Sequence, residues 1–238
     1  MMLTDSYQQR RGQIEHYFDR TAAEAWARLT SDAPVSRIRA TVRAGRDRMR
    51  STLLSWLPGD LRTRRVLDAG CGTGALAVQA AQRGADVLAI DLSPTLVDLA
   101  RDRLPSGLGA AGIGGSIDFR SGDMLDLALG AFDHVVCMDS LIHYQSADAV
   151  RVLCALAPRT LGSIAFTFAP SNPALATMHV LGRMFPQGDR APSIVPVAEA
   201  QLRRQLAEAP ELAGWSLGRT ERVSSGFYTS QALELVRR

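Results

Sequence analysis

The sequence contains no lysine. All 27 of its basic residues are arginine, 24 residues are acidic, and the formal net charge is +3. So small a surplus of positive charge does not predict binding to nucleic acid. The three cysteines, Cys71, Cys137 and Cys154, lie far apart and form no Cys-x-x-Cys pair. We therefore expect reduced thiols and no metal bound by the protein.

Long hydrophobic runs are also missing. No apolar stretch approaches the roughly 18 residues of a membrane span. The first residues, MMLTDSYQQRRGQ, lack the apolar segment of a signal peptide. We expect a cytoplasmic protein whose contact with a membrane is at most peripheral.

Apolar residues follow two different periods along the chain. Residues 12–57 show the three- and four-residue spacing of helices, with Pro34 between two of them. From residue 65 to 168, short apolar runs that predict buried strands alternate with helical segments, one of which begins at Ser93 and Pro94. Such alternation predicts an α/β fold with a mostly parallel sheet covered by helices on both faces.

The end of the chain departs from this alternation. Residues 169–197 contain five prolines and are expected to form a cap inserted after the fifth strand. A helix and two strands follow, which are expected to close a seven-stranded sheet with an antiparallel hairpin. We divide the chain into an N-terminal helical arm (1–60), a core of alternating strands and helices (61–168), an inserted cap (169–197) and a C-terminal completion of the sheet (198–238).

A glycine-rich stretch, VLDAGCGTG (Val66–Gly74), spans the first predicted strand and the turn after it. Gly70, Gly72 and Gly74 allow a ligand to approach the backbone closely, and the helix that follows favours negative charge at its start. The spacing differs from the dinucleotide fingerprint G-x-G-x-x-G, and no P-loop Gly-Lys pair follows. The stretch predicts a nucleotide-like ligand at the carboxyl end of the strand.

Acidic residues follow the next two predicted strands. Asp91 ends the second strand, and a carboxylate there accepts hydrogen bonds from both hydroxyls of a ribose. Asp123 and Met124 follow the third strand, where Asp accepts from an exocyclic amine and Met packs on a purine face. These positions favour an adenosine-containing ligand.

The segments VLDAGCGTGALA, AIDLSP, RSGDML and FDHVVCMDSLIHY resemble the successive motifs of class I S-adenosylmethionine-dependent methyltransferases. The resemblance implies a Rossmann-like fold that binds S-adenosylmethionine. It also implies which residues bind this cofactor: Asp68, Gly70, Gly72, Gly74, Asp91, Leu92, Asp123, Met124 and Met138.

Four stretches, most of them outside this core, resemble the magnesium-protoporphyrin IX O-methyltransferases of bacteriochlorophyll synthesis; they cover residues 17–29, 139–144, 168–197 and 218–237. This resemblance implies methylation of one propionate of magnesium-protoporphyrin IX. It also implies the large porphyrin-binding subunit of magnesium chelatase as a partner. Relatives of the chlorophyll lineage carry a tyrosine where Thr30 stands here. The role of that tyrosine does not transfer, and Tyr17 is the nearer aromatic candidate for a catalytic group or a core residue.

Candidates for the acceptor side come from two segments. His143 follows the fourth strand and is expected to hydrogen-bond the propionate or to remove a residual proton from it. Tyr144 is expected either to stack on the macrocycle or to lie in the core. In the cap, His179, Arg183 and Arg190 are the substrate-binding candidates, because arginine pairs with carboxylates in bidentate geometry.

Several alternatives stay open at this point. Arginines cluster between residues 37 and 50 and form either a solvated helix face or a contact for an anionic membrane, with Arg43 and Arg46 as candidates for the cofactor carboxylate. The acceptor is alternatively another small molecule, such as a quinone or phenol, or the chain is a non-catalytic porphyrin carrier. A nucleic-acid methyltransferase is not expected, because the sequence has no Asn-Pro-Pro-[Tyr/Phe] motif.

Overall fold

The computed structural model describes residues 5–21, 30, 36–106, 108, 114–171 and 193–238. Its α-helices are α1 (Asp5–His16), α2 (Arg37–Trp56), α3 (Ala75–Gln82), α4 (Pro94–Asp102), α5 (Ser146–Leu156) and α6 (Glu199–Glu208). Its strands are β1 (Arg65–Ala69), β2 (Asp86–Asp91), β3 (Ser116–Ser121), β4 (Phe132–Cys137), β5 (Thr160–Pro170), β6 (Pro196–Val197), β7 (Trp215–Ser225) and β8 (Tyr228–Arg237). A π-helical turn, Tyr17–Thr21, follows α1.

The strands form one sheet in the order β3-β2-β1-β4-β5-β8-β7. The first five of these strands are parallel, while β8 runs antiparallel to both β5 and β7. This confirms the expected mostly parallel sheet with a C-terminal antiparallel hairpin. The two-residue β6 is an addition to the expected seven strands, and it pairs with the carboxyl end of β5.

Local sequence accounts for the element boundaries. Ser93 accepts a hydrogen bond from the Leu96 amide at 3.2 Å and Pro94 occupies the first turn of α4, as predicted for an N-cap followed by proline. Successive residues of each strand point to opposite faces of the sheet. Val66 therefore packs with α2 and α3, whereas Leu67 belongs to the layer of α5 and α6.

Helix α2 is an integral part of this core. Met49, Leu53 and Leu54 are buried, and the helix contacts β7, β8 and α3. The N-terminal region therefore contributes a full helix to one covering layer. On the other face, Tyr7 and Ile14 of α1 are buried in the opposite cluster.

The sheet has one point at which its strand order reverses. Strand order reverses between β1 and β4, since β1 continues to β2 on one side and β4 continues to β5 on the other. In open parallel sheets, ligands bind beyond the carboxyl ends of the strands at such a reversal. The glycine loop after β1 and the segment after β4 meet at this point.

Candidate functional site

A cavity of about 270 Å³ lies at the carboxyl ends of β1, β2 and β4. Helices α1 and α2 contribute Ile14, Arg43 and Arg46 to its wall. Most of the cofactor residues that the resemblance implies are in this wall: Asp68, Gly70, Gly72, Asp91, Leu92, Met124 and Met138. His143 and Tyr144 line the same cavity, so the predicted donor and acceptor residues share one space.

The glycine loop is shaped by its backbone. Gly70 and Gly72 have φ angles of +85° and +53°, which favour glycine. A Cβ on Gly70 would lie 2.3 Å from the Cβ of Ser140, so the loops after β1 and β4 touch there. The amides of Gly70 and Cys71 donate to the Ile90 carbonyl at 2.8 and 3.0 Å, which ties the loop to the end of β2.

Two buried carboxyl groups stand on this loop and beside it. Asp91 accepts hydrogen bonds from the amides of Gly72, at 2.8 Å, and Ser93, at 3.0 Å, and burial raises its pKa. Burial and the nearby Asp91 raise the pKa of Asp68 to about 7. Asp68 Oδ2 is buried without a hydrogen-bond partner among the described atoms. A carboxylate in this state is suited to receive a cation from a ligand.

Asp123 and Met124 lie on different sides of the cavity wall. Met124 lines the cavity, while Asp123 is not among the lining residues. The Asp123 carboxylate accepts from the Tyr7 hydroxyl at 3.1 Å and pairs with Arg11 at 3.0 Å. Helix α1 therefore contacts the adenine-side candidate through groups more than a hundred residues away, and no local pattern in the sequence indicated this contact.

Gly74 also stands apart from the cavity wall. A Cβ on Gly74 would lie 2.8 Å from the Phe119 ring, and the residue packs α3 against β3 instead of facing the cavity.

The acceptor-side candidates sit on a short turn after β4. His143 ends the 3₁₀ turn Leu141–His143 and is 7% exposed. Its ring lies 5.8 Å from the ring of Phe18, which also lines the cavity. Tyr144 is buried and stacks on Tyr7 at 5.2 Å, so one face of its ring is already covered.

The two ends of the predicted cap meet beside this turn. The Ser171 amide donates to the Val197 carbonyl at 2.9 Å, and the Val195 amide donates to the Ile142 carbonyl at 2.8 Å. The segment 172–192 lies outside the described residues, and so do His179, Arg183 and Arg190. The described residues that flank this segment therefore lie beside the His143 turn.

Two candidates of the N-terminal region have different surroundings. Tyr17 does not line the cavity, and its ring stands edge-on to Phe18 at 5.2 Å. Thr30 does line the cavity, and its hydroxyl accepts from Arg103 at 2.9 Å. A direct role for Tyr17 stays a prediction, and its position favours support of Phe18.

Several residues of the cavity wall had no role predicted from the sequence, among them three close to the His143 turn. Phe18, Asp139 and Ser140 line the cavity. Asp139 and Ser140 belong to the DSLIHY segment, which directly follows β4, and this position at a strand end was the available signal. Phe18 belongs to the π-helical turn after α1, far from β4 in the sequence. The helical spacing of apolar residues around it indicated only a core position.

The residues fit a cofactor that ends in an amino acid. The unpartnered Asp68 Oδ2 is suited to an ammonium group, and the positive φ angles of the glycine loop leave bare backbone for close approach. Arg43 lines the cavity from α2 and supplies positive charge suited to a carboxylate, while Arg46 lines it and pairs with Asp139. Among the described residues, no group of three or more His, Cys, Asp or Glu side chains is arranged to hold a metal ion.

Comparison with protein families gives two matches. Residues 66–161 match the family model described as "Methyltransferase domain". Residues 137–237 match the model described as "Magnesium-protoporphyrin IX methyltransferase C-terminus". The second match begins at the end of β4 and includes the His143 turn.

Similar proteins extend these matches to almost the whole chain. A magnesium-protoporphyrin O-methyltransferase of Rhodobacter capsulatus is 50% identical over 233 residues, which are 98% of this chain and 99% of that protein. A crystal structure of magnesium protoporphyrin IX methyltransferase from Synechocystis with bound S-adenosylhomocysteine has a TM-score of 0.79 at 30% identity and covers 94% of this chain and 98% of the other. A ubiquinone biosynthesis O-methyltransferase of Xanthomonas euvesicatoria is 36% identical, but over 54% of this chain and 55% of that protein.

Proposed function

The chain belongs to the magnesium-protoporphyrin IX methyltransferase family, and we propose that it methylates one propionate of magnesium-protoporphyrin IX in bacteriochlorophyll synthesis. The enzyme is an S-adenosylmethionine-dependent O-methyltransferase. One observation carries the proposal for this chain. His143, the candidate for the acceptor side, lines the same cavity as the glycine loop and Asp91.

S-adenosylmethionine, when bound, supplies a methyl group on a sulfonium, which a propionate oxygen accepts to give a methyl ester and S-adenosylhomocysteine. Asp68 would hold the ammonium end of this cofactor, Asp91 would hold the ribose, and Met124 would lie against the adenine. The carboxylate of Asp123 would take the adenine amine only by sharing contacts that Tyr7 and Arg11 now make.

The acceptor side needs orientation more than deprotonation. A propionate is already ionised near pH 7, so His143 would chiefly position its oxygen and remove a residual proton. Holding two reacting groups in near-attack geometry is worth roughly 7–11 kcal/mol. Phe18 and Ile14 line the cavity with apolar surface and help to exclude water. Water stabilises the separate charges of the carboxylate and the sulfonium more than the transition state, in which these charges are being neutralised.

A direct assay tests the proposed function. Purified protein is mixed with S-adenosylmethionine and magnesium-deuteroporphyrin, a water-soluble analogue, and the product is analysed by mass spectrometry. We expect a porphyrin heavier by one methyl group, and none when S-adenosylmethionine is omitted. Intact binding of S-adenosylhomocysteine without any methylated porphyrin would contradict the proposal.

The alternatives make different predictions in a simple titration. A methyltransferase for quinones or phenols does not bind a porphyrin, so adding such a protein leaves the Soret band of the porphyrin unchanged. The likeness to the ubiquinone enzyme spans only about half of this chain. A porphyrin carrier shifts the Soret band but produces no ester, although the residues of the cofactor motifs are all present here.

Asp68 predicts a pH dependence of cofactor affinity. Its raised pKa of about 7 means that the carboxyl group is mostly neutral at pH 6 and mostly ionised at pH 8. An ammonium group binds the ionised form, so the affinity for S-adenosylhomocysteine is expected to rise roughly tenfold from pH 6 to pH 8. Titration calorimetry at pH 6, 7 and 8 measures this change.

The control is Asp68→Asn, which keeps the shape and removes the titration. Its affinity is expected to vary less with pH, and the remaining slope belongs to the ligand's own amino group. Equal slopes in the two proteins would remove Asp68 from the ammonium site.

The raised pKa of Asp68 also affects folding. It adds stability to the cofactor-free protein at low pH, and this contribution is lost as the pH rises through about 7.

We further propose that the protein contacts an anionic membrane surface through a patch that contains Ile38 and Phe227. Ile38 in the first turn of α2 is 53% exposed, and Phe227 in the β7–β8 turn is 73% exposed. The neighbouring Gly226 packs against Thr41, one helical turn after Ile38. Among the described helices, none is long and apolar enough to cross a membrane.

Charge supports an anionic partner for this patch. The first turn of α2 contains Arg37 but no acidic residue, although the helix dipole favours negative charge there. Arg37 and Arg39 are exposed on either side of Ile38. Cations near anionic lipid contribute about 1 kcal/mol each, and exposed aromatic and aliphatic side chains insert at the interface.

We predict that the protein sediments with phosphatidylglycerol vesicles and not with phosphatidylcholine vesicles. Phe227→Ser is expected to weaken this binding, and Arg37→Glu with Arg39→Glu to abolish it. The matched control is Leu127→Ser, which removes an apolar side chain that is 82% exposed on the turn before β4. Equal binding by all variants would contradict the assignment of the patch.

We also propose that the large porphyrin-binding subunit of magnesium chelatase delivers the substrate. The chemistry of the substrate supports this, because a planar apolar ring is poorly solvated by water and benefits from direct transfer. The test compares methylation of free magnesium-protoporphyrin with that of the same porphyrin bound to the subunit. A faster reaction from the bound form is expected, and a slower one would contradict delivery.

A further inference from the structure

Asp139 has an unusual backbone conformation. Its φ is +54°, and among the described residues only Thr63 is also a non-glycine residue with positive φ. Residues with a Cβ adopt this left-handed region only at a cost in free energy, and they stay there when their surroundings hold them in place. One residue separates Asp139 from the end of β4, and Asp139 precedes the turn that ends at His143. Its conformation therefore sets the direction in which the chain leaves the sheet.

Four side chains hold the Asp139 carboxylate. Arg46 donates to it at 2.7 Å, the Tyr228 hydroxyl at 3.1 Å and the Ser230 hydroxyl at 3.3 Å. The Thr167 hydroxyl donates to the same carboxylate at 3.2 Å and accepts from the Asp139 amide at 2.7 Å. Both the side chain and the backbone of this residue are thus fixed by hydrogen bonds.

These donors come from three separate elements: Arg46 from α2, Thr167 from β5, and Tyr228 and Ser230 from β8. A carboxylate offers about four acceptor sites, and the contacts with these donors use them. The Asp139 side chain is only 5% exposed. It is therefore poorly available to a ligand, although the residue lines the cavity, and its effect on a reaction must pass through neighbouring residues.

The neighbour that Asp139 orients is the His143 turn. Ser140, the next residue, abuts Gly70 of the glycine loop, and the 3₁₀ turn Leu141–His143 follows at once. The position of His143 in the cavity thus depends on how Asp139 directs the chain. The buried Glu234 of β8 offers a contrast, because it pairs with Arg219 and does not line the cavity.

We propose that Asp139 is a positioning residue for methyl transfer: its ion pair with Arg46 and its hydroxyl partners from β5 and β8 fix His143 at the cofactor cavity. This inference rests on the proposed function, because it assigns Asp139 to the reaction through His143. The network also explains how the C-terminal hairpin takes part in the site, since Tyr228 reaches across from β8. Burial and the Asp139 charge raise the pKa of Tyr228, so its hydroxyl stays a donor.

A spectroscopic experiment tests the positioning without turnover. The chain has four histidines, and the imidazole signal of His143 is assigned in ¹⁵N-labelled protein by its loss in His143→Ala. We expect this signal to shift in Asp139→Ala. In Asp139→Asn, which tolerates the left-handed backbone and keeps one acceptor oxygen but loses the ion pair with Arg46, we expect a smaller shift. The control Glu234→Gln removes a buried charge on β8 and is expected to leave the signal in place. An unmoved signal in Asp139→Ala overturns the proposal.

Kinetics test the coupling to the reaction. Asp139→Ala is expected to lower kcat about 10²-fold, the effect of a small misplacement at a reacting centre, with little change in the Kd of S-adenosylhomocysteine. In a His143→Ala background the same substitution is expected to cost little more, because its effect passes through His143. Equal losses in both backgrounds overturn the proposal.

The two hypotheses fail in different ways. If the wild-type protein does not methylate the porphyrin, the proposed function fails, while the His143 signal still decides whether Asp139 positions the turn. If Asp139→Ala does not fold, Tyr228→Phe and Ser230→Ala each remove one donor from the network. We then expect a smaller shift of the same signal in these two variants, and no shift in either overturns the proposal.

Discussion

His143→Ala is expected to lower turnover by about 10²-fold or more, because misplacing a reacting group costs about this much and because His143 also removes a residual proton. The side chain lines the cavity beside Phe18 on the turn after β4, where it would hold the propionate against the methyl donor. The glycine loop and Asp91 are untouched by the change, so the Kd of S-adenosylhomocysteine is expected to stay near that of the wild type. Steady-state methylation of magnesium-deuteroporphyrin and titration calorimetry measure the two quantities separately.

The matched control is another histidine, on the strand that precedes the His143 turn. His134 lies within β4, where its Nδ1 is 2.8 Å from the Ser163 hydroxyl, and it is not among the residues that line the cavity. His134→Asn is expected to keep both turnover and cofactor affinity near wild type. Near-normal turnover of His143→Ala would remove this residue from the mechanism. A parallel loss of cofactor affinity would assign it to the donor site instead.

Much of the fold follows from local patterns. The alternation of apolar runs and helical segments predicted the parallel sheet, because burial on both faces demands continuous apolar runs. The helix N-cap at Ser93 and the C-terminal hairpin were predictable, since each depends on the chemistry of a few adjacent residues. The short β6 was not, because Pro196 and Val197 have no strand pattern and pair only where β5 presents a free edge.

The candidate site was predictable in its donor half. Asp68, Gly70, Gly72 and Asp91 lie at strand ends, and a parallel sheet brings all such ends to one edge. The contacts that hold Asp123 and Asp139 were not predictable in this way. Their partners Tyr7, Arg46 and Tyr228 are between 89 and 116 residues away in the chain, and no local spacing encodes such pairs.

Gly70→Ala is expected to raise the Kd of S-adenosylhomocysteine by at least about tenfold, or 1.4 kcal/mol. Two causes act together at this position. The φ of +85° is strained for alanine, at a cost of about 1–3 kcal/mol, and the new Cβ would stand 2.3 Å from the Cβ of Ser140. Relief of either requires the glycine loop to move away from the His143 turn. Calorimetry measures the affinity, and thermal unfolding measures the accompanying loss of stability.

Two further variants separate these causes. Gly59→Ala adds the same methyl group at a glycine with no atom within 4 Å of the new Cβ, and it is expected to leave affinity and stability unchanged. Adding Ser140→Gly to Gly70→Ala removes the steric contact and leaves the backbone strain, so we expect partial recovery of affinity. Full recovery would assign the whole effect to the contact between the loops after β1 and β4. Wild-type affinity of Gly70→Ala alone would show that the cofactor does not depend on the conformation of this loop.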